Sequence, residues 1–505
     1  MDPAAPSPHL RVCMFVHNNY VKDSRVRKEV RTLVGVGHEI TVFALQERGV
    51  IQPTDLDGAE VIYLPRDPWH LRWVKYLRQG GQPALPPSPL QEDGTPARHD
   101  PIKATLVAGQ RAPVATVRSL WKTDRGFLLT GAFVLVIAAF VFGRAARLAK
   151  LIRRRAMRLA GSLIGRAFSF IMGPFHRPIV WRDFHRRCQR ALATRSADVY
   201  HAHDLPVLPI AAWAARRDQA PLVYDSHELF VEAHGISPVE RWFLKAIERR
   251  LIKETTTVIT VSESIAEELV ERYSIKRPII LLNCPPAWEG AETDWRLRER
   301  LKLDRDVPVA LYLGGFSPNR GLPELVRAFT DIPRTHLVMM GWGKLEGQLK
   351  ALALDLAIAN RVHFLPPAPY AELLPWTSSA DLGLIPYRAT NLNNYYSCPN
   401  KLFEYMGAGL AVAASDFPEL RRYITRYDLG SLFDPDDPKD IARAVNELVA
   451  DRATLKRRRA NARAAARELN WDVESNKLIK MYSTLGTTIA RHERSEPTAV
   501  VASPA

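Results

Sequence analysis

The sequence predicts two consecutive doubly wound α/β domains facing each other across a cleft. Two series of short apolar runs separated by helical segments predict this, and a pair of prolines divides the series. The first begins with the apolar run Leu10–Val16, a polar loop, an amphipathic stretch over Ser24–Val36 and a second run at Ile40–Leu45. Strand, loop, helix and strand in that order open a parallel sheet. The pattern resumes at Asp198-Val-Tyr-His, Leu222-Val-Tyr-Asp, Thr257-Val-Ile-Thr-Val and Pro278-Ile-Ile-Leu-Leu, with Pro238–Lys253 as one intervening helix. The second series runs through Val309–Gly315, His336–Gly341, Val362–Phe364, Leu382–Ile385 and Ala411–Ala414. Asn283-Cys-Pro-Pro separates the two, because paired prolines stop a strand. The expected organisation is a first domain over 8–64 and 198–284, an insertion over 65–197, a second domain over 285–492 and a disordered tail over 493–505. Ligands of such sheets sit beyond the carboxyl ends of the strands, so the interdomain cleft is the expected site.

Composition narrows the class. Of 505 residues, 47% are apolar and 25% charged, which are globular values. The four cysteines Cys13, Cys188, Cys284 and Cys398 have no metal-type spacing, and sparse thiols point to a reducing compartment. The N-terminal residues lack the basic and apolar regions of a signal peptide, so the expected location is cytosolic or cytosol-facing. The formal net charge is +16. No nucleic-acid module is visible, so nucleic acid is not an expected partner and the excess charge is assigned to a membrane.

The insertion carries the reason. Residues 79–118, rich in Pro, Gly, Gln and Ala, predict a flexible loop. Gly126–Gly143 then carries no charge, a marginal length for a spanning helix. Arg144–Arg166 follows with eight basic residues and no acidic one. Arg147, Lys150, Arg154 and Arg158 lie opposite Leu148, Leu151, Ile152 and Leu159, which reads as a basic amphipathic helix on a membrane surface. The chain re-enters the same sheet afterwards, so both ends of the insertion lie on one side of the bilayer. A re-entrant or in-plane segment on the inner face of the plasma membrane, against anionic lipid, is therefore expected. A helix hairpin packed inside the protein is the competing reading.

The chemistry concentrates in Ser397–Pro418, SCPNKLFEYMGAGLAVAASDFP. Pro399 suits a helix start, and the first turns of Asn400–Met406 offer backbone N–H groups to a diphosphate. Lys401 adds charge there. Glu404 follows one helical turn later, where its carboxylate can accept from two vicinal ribose hydroxyls. Gly407 and Gly409 let the helix end and the next strand pass closely.

This segment resembles the donor-site signature of retaining GT-B glycosyltransferases of group 1, also called family 4. The similarity extends to DSRVRKEVRTLVGVGHEITVFAL, DVYHAHD, YDSHE and TVSESIAEEL in the first half. In the second half it includes YLGGFSPNRGLPELVRAF, MMGWGKLEGQL and ADLGLIPY. The resemblance implies a GT-B fold with a membrane-associating insertion in the first domain. It implies a nucleoside-diphosphate sugar as donor substrate and a lipid-linked or glycan acceptor, as in polysaccharide biosynthesis. No metal and no other cofactor is expected. Glu404 matches the ribose-binding glutamate and Arg320 the phosphate-binding lysine. Gly314 and Gly315 permit close backbone approach to the ligand, as Gly341 and Gly343 could, and Val362–Phe364 matches the region that cradles the base. His203 matches the histidine that contacts the donor sugar near the reacting carbon and is the expected catalytic residue, while His201 is expected to be structural. Asp225 and His227 end the next strand within reach of the acceptor.

Three departures stand out. Tyr396 occupies the position of the first carboxylate in the commonest Glu-x7-Glu pattern, leaving Asn393, Asn394 or Ser397 to supply its hydrogen bonds. Asp23 and Arg25 stand where the family often has a glycine-rich acceptor loop. Gly315 or Phe316 falls where it often has a second arginine, whose charge Lys401 could carry. His203 and Asp204 find no evident third metal ligand, and Asp434 and Asp436 read as a helix cap. The alternatives to sugar transfer are a non-catalytic, membrane-associated partner subunit of the same fold and a nucleotide-sugar epimerase.

Overall fold

The structure, a computed structural model, describes residues 9–47, 50–66, 68, 176–290 and 294–495. Met1–Arg66 and Trp181–Ala505 form one compact unit that carries both sheets, and Asp67–Val180 form another. The expected loop over 79–118, the apolar run and the basic helix lie outside the described residues. So does the expected tail from residue 496 onward, whereas 493–495 still belong to a helix. Among the described residues no helix is long and apolar enough to cross a membrane.

The first sheet contains β1 (Arg11–Val16), β2 (Glu39–Gln46), β3 (Asp55–Leu56), β4 (Ala59–Pro65), β5 (Val199–His203), β6 (Leu222–Ser226), β7 (Thr257–Thr260) and β8 (Ile279–Ile280). Their order is β3-β4-β2-β1-β5-β6-β7-β8. All pairs are parallel except β3 with β4. The second sheet contains β9 (Val309–Leu313), β10 (His336–Met340), β11 (Val362–Leu365), β12 (Leu382–Ile385), β13 (Ala411–Ser415) and β14 (Gly430–Phe433). Its order is β11-β10-β9-β12-β13-β14, parallel throughout. The central strands are buried on both faces, which is why they read as continuous apolar runs rather than alternating ones. The short hairpin β3–β4 and the strand β14 escape a reading based on such runs.

Each sheet has a switch point where neighbouring connections diverge, between β1 and β5 in the first and between β9 and β12 in the second. Helix caps fix the loops there. Asp23 begins the helix Ser24–Gly35 by accepting from Val26 N–H, and Ser262 begins Glu263–Tyr273 by accepting from Ile265 N–H.

The chain is not divided as the sequence suggests. The helix Trp471–Ser495, expected within the second domain, returns to the first. Trp471, Leu478, Met481, Tyr482 and Leu485 join the core formed by β1, β2 and β5, and Trp471 Nε1 donates to Thr32 Oγ1 at 3.0 Å. At the other border, Trp181, Phe184, Cys188 and Leu192 are buried, so the last turns of the expected insertion belong to the folded body.

Candidate functional site

The helix Asn400–Gly407 is pinned before it binds anything. Tyr405 Oη accepts from Leu313 N–H at 3.1 Å and donates toward Leu311 O at 3.0 Å, tying the helix to the end of β9. Its ring lies over Gly383, where a side chain would collide with it. This places Lys401 and Glu404 beside the loop that leaves β9. Gly314 in that loop has φ +119°, and a Cβ there would stand 3.2 Å from Lys401 Nζ. Glycine is therefore needed at 314 both for the backbone and to admit the lysine.

Two cations converge on one ring. The Arg320 guanidinium lies 4.0 Å from the ring centre of Tyr387, and Lys401 Nζ lies 4.8 Å from the same centre and 4.3 Å from that of Tyr312. Among the described residues neither cation forms an ion pair with a carboxylate. Burial, reinforced by Arg320, pushes the Lys401 ammonium well below its ordinary range, with Glu404 opposing. Burial also raises the Glu404 carboxyl, against Lys401 and Lys28. The site is thus charged, desolvated and short of anions.

These groups line a cavity of about 650 Å³. Gly314, Gly315, Arg320, Ser397, Asn400, Lys401 and Glu404 all face it, as do Asn393 and Asn394. Tyr396 is not among its lining residues; its carbonyl instead accepts from Ser262 Oγ at 3.3 Å. The neighbouring Asn393, Asn394 and Ser397 line the cavity where Tyr396 does not. Asn393 does more than line the wall, because its Nδ2 donates to Glu228 Oε2 at 2.8 Å and its Oδ1 accepts from Leu229 N–H at 2.9 Å. Both contacts join the second sheet's loops to the first's.

A second cavity of about 410 Å³ adjoins the first and is lined by Asn18, Lys22, Asp23, Arg25 and Asn283, among others. His227, Val261, Cys398 and Asn400 line both, so these four side chains mark where the two cavities meet.

His203 is not placed as the sequence suggests. It is buried at the end of β5, in register with Val16 of β1 and Asp225 of β6, and lines neither cavity. His201 and His203, two apart on β5, project to the same face of the sheet with ring centres 4.2 Å apart, and Asp225 and His227 pack against His203 there. The group that reaches the cavities is His227, one strand over. His203 Nδ1 lies 3.3 Å from His227 Nε2, so it supports that ring from below.

His227 stands in a field of carboxylates. Its Nε2 lies 3.0 Å from Asp225 Oδ2 and its Nδ1 lies 3.3 Å from Asp204 Oδ2, while its backbone N–H donates to Asp204 Oδ1 at 3.0 Å. Burial opposes protonation, but Asp204 and Asp225 together push the imidazole up to about 10. Burial pushes the Asp204 carboxyl up to about 7 against the pull of His227. Asp204 holds φ +67° and ψ 164°, a conformation costly for a non-glycine residue. That strain is spent on aiming its carboxylate at His227.

Asp225 and Arg25 form the base of the site. Arg25 Nε and Nη2 each donate to one Asp225 oxygen at 2.9 Å, and Arg25 Nη1 donates to Leu281 O. Burial penalises the Asp225 charge, yet Arg25 and His227 hold its carboxyl well below the usual range. Asp23 is committed as the helix cap and also accepts from Asn18 Nδ2 at 2.7 Å. Thus the loop at Asp23 and Arg25 is ordered by side chains, and Asp225 lies behind the cavity wall.

The fold also assembles a metal-type group that sequence spacing did not reveal. Glu29, His201, His203 and Asp225 bring ligand atoms within 4.8 Å of one another, whereas Asp204 is not part of the group. Arg25 occupies both Asp225 oxygens and lies 3.1 Å from Glu29 Oε1, and His201 Nδ1 is bonded to Tyr482 Oη at 2.9 Å. Positive charge is already supplied at this point by a guanidinium. At the surface, Asp437 rather than Asp434 or Asp436 caps the helix Pro438–Ala450.

Comparison with known proteins agrees with this geometry. Residues 293–467 match the family described as glycosyl transferases group 1, and residues 153–284 match the glycosyl transferase 4-like domain. D-inositol 3-phosphate glycosyltransferase of Xylanimonas cellulosilytica is 28% identical over 316 residues, 58% of this chain and 74% of that one. The enzyme of the same description from Streptosporangium roseum is 27% identical over 314 residues, 57% of this chain and 69% of its own. Among solved structures, sucrose-phosphate synthase from Thermosynechococcus elongatus superposes with a TM-score of 0.61 at 15% identity, covering 95% of this chain and 99% of that one. Anabaena HepE in complex with UDP and glucose superposes with a TM-score of 0.59 at 12% identity, covering 94% and 100%.

Proposed function

The chain belongs to the group 1 glycosyltransferases and has the two-domain GT-B fold, and we propose that it moves a sugar from a nucleoside-diphosphate sugar, with retention of configuration, to a lipid-linked or glycan acceptor at the cytosolic face of a membrane. Its activity as a glycosyltransferase with a nucleotide-sugar donor is what the family supplies. The acceptor, the stereochemistry, the independence from metal and the membrane face are our reading.

One observation carries the donor assignment. Arg320 and Lys401 are cations facing a cleft on the rings of Tyr387 and Tyr312, without an ion pair to a carboxylate among the described residues. A diphosphate is the anion that such a pair, with the first turn of Asn400–Gly407, is built to hold. Glu404, one turn further, then meets the ribose, where its carboxylate can accept from two vicinal hydroxyls.

The larger cavity takes the donor and the smaller the acceptor, so the sugar's anomeric carbon belongs where His227 and Asn400 meet. In the proposed step the bond from that carbon to the diphosphate oxygen breaks. A bond to the acceptor hydroxyl forms on the same face, and the hydroxyl proton passes to the departing diphosphate. Arg320, Lys401 and the helix N-terminus stabilise the charge that develops on the leaving group. No metal is required for that charge balance. His227 adds a cation beside the reacting carbon, and His203 and Asp225 hold its ring.

The test is incubation with a panel of labelled nucleotide sugars, with and without membrane lipid extract. Acceptor-dependent release of nucleoside diphosphate and an anomeric product of unchanged configuration are expected. A new nucleotide sugar formed without acceptor would make the protein an epimerase. Neither outcome, with nucleotide still bound, would make it a non-catalytic partner.

A further inference from the structure

We propose that the helix Pro238–Leu251 is a membrane-docking surface that seats the first domain on an anionic bilayer. The proposal goes beyond sugar transfer and does not use the insertion over residues 67–180.

The helix buries one face and leaves the other unpartnered. Leu244, Glu248 and Leu251 turn inward. Opposite them, Val239 is 80% exposed, Trp242 73% and Phe243 50%. Ala246, Arg249, Arg250 and Lys253 are exposed as well. At 100° per residue the seven positions fall within an arc of about 120°. The stripe has a sense along the helix: its first two turns are apolar and its last turn, with the residue beyond, is basic. Its own sequence contains no acidic residue. Of the carboxylates beside it, buried Glu248 accepts from Tyr224 at 2.7 Å and Tyr273 at 2.6 Å, and Glu254 pairs with Arg216 at 2.6 Å and lies at 4.0 Å from Arg250, leaving Arg249 and Lys253 to carry the stripe's net positive charge.

Exposed Trp and Phe at adjacent positions lose apolar contact energy to water unless something covers them. Charge decides between coverings. A stripe that ends in two arginines and a lysine fits a negatively charged surface, and indole and phenyl rings prefer the boundary between headgroups and acyl chains. An anionic bilayer offers both at once, whereas a second copy of this chain would bring its own positive excess to the contact.

The position of the helix gives the docking a purpose. Its start follows the loop after β6 that carries His227 and Glu228, both cavity-lining residues. Helix Pro238–Leu251 begins on the side of the sheet where strands end and the cleft opens. Seating Val239, Trp242 and Phe243 in the headgroup layer brings the cleft to the plane in which a lipid-linked acceptor moves.

The test reads this helix directly. The four native cysteines are buried, so a thiol introduced as Trp242→Cys in the full chain takes an environment-sensitive fluorophore selectively. A Leu354→Cys label, at a site 68% exposed in the second domain, is the control. Vesicles of equal parts phosphatidylglycerol and phosphatidylcholine should blue-shift the label at 242 and leave the label at 354 unchanged. Pure phosphatidylcholine vesicles should shift neither. Trp242→Ser/Phe243→Ser should lower partition onto the anionic vesicles by roughly tenfold or more, from the apolar surface removed. Nucleoside-diphosphate affinity of that variant, measured by calorimetry, should match the parent, which separates this proposal from the donor-site reading. A label at 242 that stays in water while the protein pellets with vesicles overturns the proposal. So does a blue shift without lipid, which, if it grows with protein concentration, identifies a second copy and, if it does not, a segment of the same chain.

Discussion

Glu419 of the second domain accepts two hydrogen bonds from Ser264 of the first, from the amide at 2.9 Å and from the hydroxyl at 2.6 Å. The carboxylate is fully buried. Together with the bond from Asn393 to Glu228, this contact joins the loops of the two sheets.

Glu419→Ala leaves two buried donors without an acceptor, an omission that costs about 1–3 kcal/mol. Thermal unfolding of this variant should begin earlier than in the parent, and Glu419→Gln should recover part of the loss. An unchanged melting profile for Glu419→Ala would show that the halves are held by apolar packing alone.

Donor affinity should track the cations on Tyr387. Arg320→Ala and Lys401→Ala should each weaken nucleoside-diphosphate binding by about 1.5–3 kcal/mol, the range for hydrogen bonds to charged groups. Arg320→Lys should recover only part, because a bidentate fork is replaced by a point charge. Calorimetry with the nucleoside diphosphate alone measures both. Equal affinities across the series would move the diphosphate out of this cavity.

Glu404→Ala should weaken nucleotide-sugar binding by about 1–3 kcal/mol through loss of its bonds to the ribose. The informative comparison is with the corresponding 2′-deoxy nucleotide, which should discriminate parent from variant poorly. A variant that binds both nucleotides as the parent does would place the ribose elsewhere.

The two histidines should separate in kinetics. His227→Ala should reduce turnover sharply with little change in nucleoside-diphosphate affinity. His203→Ala should act more weakly and in the same direction, since it touches the cavity only through His227. If His203→Ala is the more damaging and His227→Ala is silent, the reacting carbon lies deeper than the meeting point of the cavities.

Stability should also depend on pH through His227. Its imidazole is raised to about 10 in the folded protein, against about 6.5 in an unfolded chain. The folded state therefore binds the proton more tightly, and the resulting stabilisation is complete below about 6.5 and lost as pH rises through 10. Urea unfolding of the parent against His227→Asn should show a difference that shrinks between pH 7 and 10. A constant difference would mean the ring is neutral between Asp204 and Asp225.

Much of this architecture was readable from local pattern. Parallel strands buried on both faces announce themselves as apolar runs, and the helix Asn400–Gly407 carries its start signal in Pro399. That Arg320, Lys401, Glu404, Gly314 and Gly315 share one site was what the family resemblance implied, and they line one cavity. What local pattern could not reach were contacts between distant segments. Arg25 and Asp225 are 200 positions apart, and neither says in the sequence that it will neutralise the other. The depth of His203 depended on Asp225 and His227, from the next strand and the loop after it, packing against it. Tyr396 could not be seen to turn its carbonyl to Ser262 rather than its ring to the donor. The return of Trp471–Ser495 to the first sheet leaves no trace in periodicity, since an amphipathic helix does not record which core it covers.

That return has a consequence for how the protein is made. His201 lies at the centre of β5, and its ring is bonded to Tyr482, which the ribosome delivers some 280 residues later. At about 5–20 residues per second the nascent first domain waits roughly a quarter of a minute to a minute for the helix that seals it. During that interval the second domain has already been synthesised and can fold on its own sheet. The part translated first is thus the part finished last, and a chain stopped short of Trp471 would carry a completed second sheet joined to an unsealed first one.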